Sequence, residues 1–421
     1  MNQTKPKLFY GWVLVAVMLL LLSVGWGTTV YMFSVVAGAL YQEFEPTRLV
    51  LMICSTGMML MVGLSSPLLG KLLDRYPNKW IMLCGTLSLG LGFIGISLSA
   101  DIWMVVASYV LLIGAGMATL STLTVSTLLA RWFVKRRGLA VGIAALGTQF
   151  GGFIYPPLFA QAMQAYDWRV AIAGVGGLIL LIVPAAIWFL VTDKPEDKGQ
   201  YPDGASEPAQ SQQTSSSEQN AGEPVQLSLG TLFTQRNFLL LVGIVGSAVA
   251  TNTVLLANLS LFATDLGETA VRGAFIISLV AFLGIFFSPF VGWLSDVVPI
   301  KTVTAIVTGS LAISCLLFSM ANTYPMLLAA ALFMGVGGGG VFPLWASLVG
   351  KLYSLKVYGQ VMGASTLVIA LLTAIGPPFG GWIHDTTGSY RQLFLTLLVI
   401  LAVMTVLIAW IRVPTAQELE Q

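Results

Sequence analysis

The sequence predicts an all-α membrane protein, with twelve transmembrane helices arranged as two six-helix bundles in parallel pseudo-repeat. Three observations predict it. Of 421 residues, 57% are apolar and 9% charged, with a mean hydropathy of +0.87. A soluble chain carries roughly a quarter charged residues, so a water-soluble globular protein is excluded. Twelve spans of ~20 residues use about 240 positions, close to the whole apolar complement. Finally, residues of one half recur in the other at a nearly constant offset.

The first apolar run, from Tyr10 to about Leu40, is far longer than a signal-peptide core, so it reads as a retained helix. Hydropathy and breakers place the next five spans at about 49–73, 79–99, 102–131, 138–163 and 169–192. The stretch from Asp193 to Arg236 is rich in Ser, Gln, Glu, Gly and Pro (GASEPAQSQQTSSSEQNAGEP). It cannot bury enough apolar surface to fold and is expected as a disordered cytoplasmic tether between the bundles of residues 1–192 and 237–421. The second set of spans falls at about 237–264, 272–295, 300–321, 324–350, 358–384 and 391–412.

Charge placement orients these spans. The N-terminus, the loops after the even-numbered spans and the C-terminal tail hold sixteen of the 20 Lys and Arg residues; the opposite loops hold Arg48, Arg169, Arg272 and Arg391. Basic residues stay inside, so both termini are expected in the cytoplasm and the protein in the inner, plasma membrane. A net charge of +2 leaves no patch for nucleic acid. Cys54, Cys84 and Cys315 sit in apolar runs, too far apart for metal-ligand spacing, and read as reduced structural thiols. No metal and no cofactor is expected.

The halves repeat. Gly114 and Gly116 recur as Gly335 and Gly337, Gly138 and Gly142 as Gly359 and Gly363, and Pro156-Pro157 as Pro377-Pro378, all offset by 221. One residue of slippage relates Gly70 and Asp74 to Gly292 and Asp296, and Trp168-Arg169 to Tyr390-Arg391. A shared offset across four spans points to duplication, the layout of transporters that rock two bundles about a midplane site.

The loop after span 2 reads GKLLDRYPNK (Gly70 to Lys79), and its counterpart after span 8 reads GWLSDVVPIK (Gly292 to Lys301). The first resembles the signature loop of the major facilitator superfamily, with Pro77 in place of a Gly and Asn78 in place of a basic residue. Gly70 is expected to allow close helix contact, and Asp74 to lie near the cytoplasmic N-terminus of span 11, attracted to its dipole. By symmetry Asp296 would face the start of span 5. Gly70, Asp74, Arg75, Arg131, Gly292 and Asp296 are therefore the gating candidates.

RWFVKRRGLAVGIAALG (Arg131 to Gly147) resembles the monocarboxylate porter and oxalate/formate antiporter branch, which carries an aromatic pair, a basic cluster and Leu-Ala-x-Gly-x-Ala-x-x-Gly. FYGW (Phe9 to Trp12) resembles the same branch without its usual acidic residue. The small residues of span 5, Gly142, Gly147, Gly151 and Gly152 among them, are expected to permit close packing. The branch carries an Arg before the span 8 proline that binds the substrate carboxylate; here FFSPFVGW has Ser288 at that place. No Lys lies between Lys7 and Lys71 or after Lys356, and no acid falls near the bilayer midplane. His384 falls at the outer end of span 11 and reads as a rim residue.

With charge excluded from the path, neutral polar and aromatic groups must line it. The resemblance implies a cavity lined by spans 1, 4, 7 and 10. Trp26, Thr29 and Tyr31 in span 1, Thr122 in span 4, Asn252 and Asn258 in span 7 and Trp345 in span 10 are the candidates, with Gln149 and Tyr155 from span 5. Thr28, Thr119, Ser121, Thr124, Thr253 and Ser347 share those spans. Amides facing lipid are costly, so the three amides should face protein or cavity; interhelical hydrogen bonding is the competing role for all of these groups.

The expected function is an alternating-access secondary transporter of a small organic solute, monocarboxylate-like or neutral and amphipathic. The expected partners are that solute and the lipid bilayer, with the protein monomeric. Efflux of lipophilic compounds and a non-transporting membrane sensor are the alternatives. A protein-borne proton relay is not expected without a buried carboxylate or imidazole. No nucleophile–base pair or metal cluster is visible, so no catalytic residue is assigned.

Overall fold

The computed structural model describes residues 9–133, 136–204, 229–354 and 357–414, all helix, turn or loop without a strand among them. Twelve helices among the described residues are long and apolar enough to cross a membrane. Spans 1 to 6 are Tyr10–Phe44, Arg48–Arg75, Asn78–Ser97, Ile102–Trp132, Arg137–Ala165 and Trp168–Leu190. Spans 7 to 12 are Arg236–Asp265, Ala270–Val297, Ile300–Met320, Tyr324–Leu352, Tyr358–Thr387 and Arg391–Leu407. An even number of spans puts both described chain ends on one face, here the terminal face.

The starts of the helices follow local chemistry. On the face opposite the termini, the side chains of Thr47, Asp101, Asp167 and Thr269 accept from first-turn N–H groups of spans 2, 4, 6 and 8, satisfying donors that have no helical acceptor. On the terminal face, spans 3 and 9 begin after Pro77 and Pro299.

The repeated glycines sit at repeated contacts. A Cβ on Gly114 would strike Met61 of span 2, and one on Gly335 Leu283 of span 8. Gly116 packs on Gly85 and Leu89 of span 3, and Gly337 on Leu311 of span 9. Span 5 lies on span 1 through Gly147 and Gly151, whose added Cβ atoms would lie 2.1 Å from the Leu19 carbonyl oxygen and 2.4 Å from that of Ser23. Gly142 is different: no atom lies within 4 Å of its place for a Cβ, so the packing expected of that residue is not made in this conformation.

Spans 1 and 4 are not continuous α-helices. Span 1 widens into a π turn over Gly27–Tyr31, where the hydroxyls of Thr28 and Thr29 donate to the Val24 and Gly25 carbonyls at 2.7 and 2.6 Å. Such back-bonding competes with the helix ladder and bends it. Span 4 has a π turn over Ser108–Ile113 and a break at Leu120 before Thr122–Trp132.

The beginning of the segment read as a tether folds onto the first bundle. Asp193 accepts from the Asn78 N–H at 2.7 Å, Trp132 Nε1 donates to the Thr192 carbonyl at 3.1 Å, and Gln200 Oε1 accepts from the Tyr10 N–H at 3.0 Å. Helix-end donors that need acceptors order these residues despite their polar composition. Residues 205–228 lie outside the described residues.

Candidate functional site

Between the bundles lies a cavity of about 20 Å³, room for about one water molecule. Its wall comes from Val30 and Phe33 of span 1, Ser55, Thr56, Met58 and Met59 of span 2, Thr253 and Ala257 of span 7, and Thr373, Ala374 and Pro377 of span 11. No ionisable side chain is among them. Span 2 contributes most, a wall that the list of candidates from spans 1, 4, 7 and 10 left out. The adjacent hydroxyls Ser55-Thr56 in an otherwise apolar run were the available signal.

None of the nine candidates lines this cavity, and one pair of them is bonded, Tyr31 with Gln149. Tyr31 donates its hydroxyl to Gln149 Oε1 at 2.6 Å. That amide lies against span 8, where a Cβ on Gly284 would come within 2.2 Å of Gln149 Nε2. The ring of Tyr155 packs on Gly27. Trp26 Nε1 is buried with no partner. Thr29 lies in the π turn, and its carbonyl accepts from the Tyr109 hydroxyl at 3.3 Å, so the irregular turns of spans 1 and 4 are bonded to each other. Asn252 packs on Gly338 of span 10 with Oδ1 buried and unpartnered.

Two candidates donate elsewhere and a third is exposed. Asn258 donates to Val254 O at 2.9 Å and faces Gly380 of span 11, while its Oδ1, like that of Asn252, is buried without a partner among the described residues. Trp345 gives its single donor to Ser365 Oγ at 3.1 Å. Thr122 is exposed, whereas Thr124 beside it is buried with its hydroxyl unpartnered. Thr119 faces span 3 at Gly85, and Ser288 is half-buried.

Besides the Ser260 N–H of span 7, which donates to Ser34 Oγ of span 1 at 3.1 Å, two hydrogen bonds cross between the bundles and are copies of each other. Thr56 Oγ1 of span 2 donates to the Ala374 carbonyl of span 11 at 3.0 Å. Ser278 Oγ of span 8 donates to the Phe153 carbonyl of span 5 at 2.9 Å. Each acceptor lies four residues before the second proline of a Pro-Pro pair, Pro378 or Pro157. Proline has no N–H, so those carbonyls lack helical donors and the facing hydroxyls supply them. The two donors stand 222 residues apart and the two acceptors 221, the offsets of the repeat itself.

A further link, at the face opposite the termini, has no copy among the described residues. Arg48, 4% exposed at the start of span 2, reaches the second bundle. Its Nη2 donates to Asp265 Oδ1 at 2.7 Å and its Nη1 to the Tyr390 hydroxyl at 3.0 Å. The guanidinium lies 4.5 Å from the Tyr41 ring centroid. His384 Nε2 lies 3.2 Å from Asp265 Oδ2. Asp385 accepts from the Arg48 and Leu49 N–H groups, both at 2.9 Å. A carboxylate of one bundle therefore caps a helix N-terminus of the other, where its charge is favoured by the helix dipole. Burial pushes the Tyr390 phenol above its ordinary pKa, so it remains a neutral partner for the guanidinium. Gly381 completes the contact: a Cβ there would lie 2.7 Å from the Arg48 carbonyl. Sequence reading treated Arg48 as an orienting charge and His384 as a rim residue. The overlooked signal was an asymmetry in the repeat, since Thr47-Arg48 is matched by Thr269-Ala270.

The terminal face is apart. No atom lies within 4 Å of a Cβ built on Gly70, Gly142 or Gly363, and Gly292 meets only Pro343 at 3.8 Å. The close contact expected of Gly70 is not made among the described residues. Arg75 and Asp296 are exposed, and Asp296 has no partner among the described residues. Arg131 donates to the Leu73 carbonyl at 3.1 Å and lies 3.9 Å from Asp193. The Asp74 side chain lies outside the described residues.

Comparisons with known proteins agree with this architecture. Rat monocarboxylate transporter 4 is 25% identical over 336 residues, 79% of this chain and 68% of its own. Mouse monocarboxylate transporter 2 is 23% identical over 401 residues, 92% and 80% of the two chains. The crystal structure of a bacterial homologue of the human lysosomal transporter Spinster, described as inward-facing and occupied, superposes with a TM-score of 0.73 at 12% identity, covering 97% of each chain. The family model described as the Major Facilitator Superfamily matches residues 17–320 and 285–421. The chain belongs to the major facilitator superfamily.

Proposed function

We propose that the chain moves a small organic solute across the membrane by alternating access, its cargo a monocarboxylate or a neutral, amphipathic molecule of similar size. The observation that carries this reading is where the bundles touch. They are joined at mid-depth and at the face opposite the termini, while among the described residues nothing closes on Gly70, Gly142 or Gly363, on the face of the signature loops. A solute could enter from the terminal face alone, and exchange of one closed end for the other is what alternating access requires. The excess of Lys and Arg on the terminal face supports a cytoplasmic placement of that face, which would make this the inward-open form; residence in the plasma membrane and action as a monomer belong to the same proposal. The inward-facing description of the Spinster homologue supports the same assignment.

The monocarboxylate transporters among its relatives favour a carboxylate cargo. Neutral donors would hold it, the Trp26 indole and the Tyr31–Gln149 pair foremost, polar groups of spans 1 and 5 that lie outside the wall of the one-water void. The titratable cluster of Asp265, His384 and Asp385 stands at the opposite gate, away from the solute, so a proton relay along the path has no groups to use. No residue is assigned a catalytic role, and none a metal or cofactor.

Uptake of labelled lactate into proteoliposomes tests the reading. Saturable uptake is expected, and Trp26→Phe, which deletes one donor, should weaken apparent affinity by about 3–10-fold, the worth of one hydrogen bond. If neither lactate nor neutral solutes of its size accumulate above protein-free vesicles, the reading is wrong.

A further inference from the structure

Two residues of the charged link have counterparts inside the first bundle. Glu43 near the end of span 1 and Asp265 at the end of span 7 stand 222 residues apart, as do Asp167 and Ser389, Trp168 and Tyr390, and Arg169 and Arg391. The structure keeps this register: Asp167 Oδ1 accepts from the Arg169 N–H at 2.8 Å, and Ser389 Oγ from the Arg391 N–H at 3.2 Å. In the first bundle the acid is satisfied at home. Glu43 Oε1 accepts from Arg169 Nη2 and Oε2 from Trp168 Nε1, both at 2.9 Å. Arg169 Nη1 also donates to the Ser97 and Ser99 carbonyls at the end of span 3, at 2.9 and 2.7 Å.

The second bundle carries the matching cation without using it. Arg391 is exposed and its side chain forms no ion pair among the described residues. Asp265 is held instead by Arg48 of the first bundle at Oδ1 and by His384 at Oδ2. Span 9 packs on span 12 as span 3 packs on span 6. The carbonyls of Ser319 and Ala321, which match those of Ser97 and Ser99, lie at the end of span 9, where carbonyls have no helical donor. Every group that holds Arg169 therefore has a counterpart for Arg391.

Opening of the gate withdraws Arg48. The Asp265 side chain, 32% exposed, would then stand at the negative end of the span 7 dipole with only an imidazole beside it. A partly covered carboxylate in that position needs a cation.

We propose that Arg391 is the reserve partner of Asp265. When the bundles part at the face opposite the termini, its guanidinium takes Asp265 Oδ1 and the two span 9 carbonyls, in the pose that Arg169 holds on Glu43. Asp265 is one methylene shorter than Glu43, which the freedom of the exposed arginine arm makes up. The acid exchanges one cation for another, Arg48 in the locked form and Arg391 in the released form. Arg391 is thus a positioning residue that acts through Asp265 on the balance of the two forms. The inference rests on the alternating-access reading, but its readout is a population measured without solute, so a failure of lactate uptake and a failure of this exchange are separate results.

The test is the distance between spin labels on Tyr166→Cys and Asn322→Cys, exposed sites of the two bundles on the gate face, in the full chain with the exposed thiol removed as Cys84→Ser. Arg48→Gln, which removes the competing cation and keeps side-chain bulk, should populate a longer, released distance. Adding Arg391→Gln should lower the released-to-locked ratio by about 3-fold, the worth of a partly exposed ion pair. With Asp265→Asn present, Arg391→Gln should change nothing, which separates the exchange from a contact of Arg391 with lipid headgroups. The proposal is overturned if Arg48→Gln shows no released distance, if Arg391→Gln leaves the ratio unchanged or raises it, or if its effect persists without the Asp265 charge.

Discussion

The seam of span 2 on span 11 and the seam of span 5 on span 8 descend from one another by the internal repeat, yet they hold the bundles together differently. Both carry a hydroxyl donating to a proline-freed carbonyl. Beyond that bond, the 5–8 seam is neutral: Gln149 against Gly284, and Phe153 against Phe282 with ring centroids 5.3 Å apart. The 2–11 seam ends in a buried cation, Arg48, held by Asp265 and Tyr390, with Asp385 capping its helix. One seam is made of apolar and amide contacts, while the other also carries charge. The difference teaches that a duplicated scaffold can keep its pivot symmetric and place its lock on one side.

Breaking the lock should have the largest effect. Arg48→Ala leaves Asp265 of the second bundle without its cationic partner in the first. Removing one partner of a buried pair costs about 3–5 kcal/mol, to be discounted here because Asp265 is 32% exposed. Reactivity of Thr56→Cys toward an impermeant thiol reagent added from the face opposite the termini should rise by more than about 10-fold in the Arg48→Ala background. Unchanged reactivity would mean that the charge does not close the gate.

Gly381→Ala comes next. Its Cβ meets the Arg48 backbone, which cannot step aside, so about 1–3 kcal/mol of strain is expected, read as the same gain in reactivity. Gly284→Ala meets only the far end of the Gln149 side chain and should change reactivity less. Equal effects would abolish the distinction between a rigid and a yielding seam.

Asp385→Asn keeps one acceptor oxygen and loses the charge at the helix start. A loss of about 1 kcal/mol is expected, of the size of a helix-dipole interaction, measured as a shift in the inward–outward ratio by spin-label distances. The smallest effects belong to the pivot. Thr56→Val and Ser278→Ala should each cost about 0.6 kcal/mol in thermal unfolding, the average for hydroxyl bonds between membrane helices, and the two should agree. A large inequality would show that the repeat no longer uses them alike.

Much of the fold was legible because each cue acts locally or in register. Apolar run length sets spans, and the shared offset exposes the duplication; the glycine pairs 114/335 and 116/337 duly occupy matching contacts. The site was less legible. Trp26, Asn252, Gln149 and Tyr31 are polar groups in apolar helices, a cue that composition carries, but the same cue marked Trp345 and Asn258, whose donors are taken by Ser365 and Val254. Which way a polar group turns depends on neighbours far along the chain. The lock escaped for the same reason: Arg48 and Asp385 are 337 residues apart. The folding of Asp193 and Gln200 onto the first bundle likewise depends on donors at Asn78 and Tyr10, which composition does not reveal.

The paired pivots have an unusual heredity. Their acceptors are main-chain oxygens at Phe153 and Ala374, so no change of side chain at those two positions can delete them. They exist because an imino acid stands one turn further along, and replacing Pro157 or Pro378 with alanine would restore the helical donor and make each hydroxyl a competitor rather than the sole supplier. Mutational scans should therefore locate the hinge not where the bundles touch but four residues away from it.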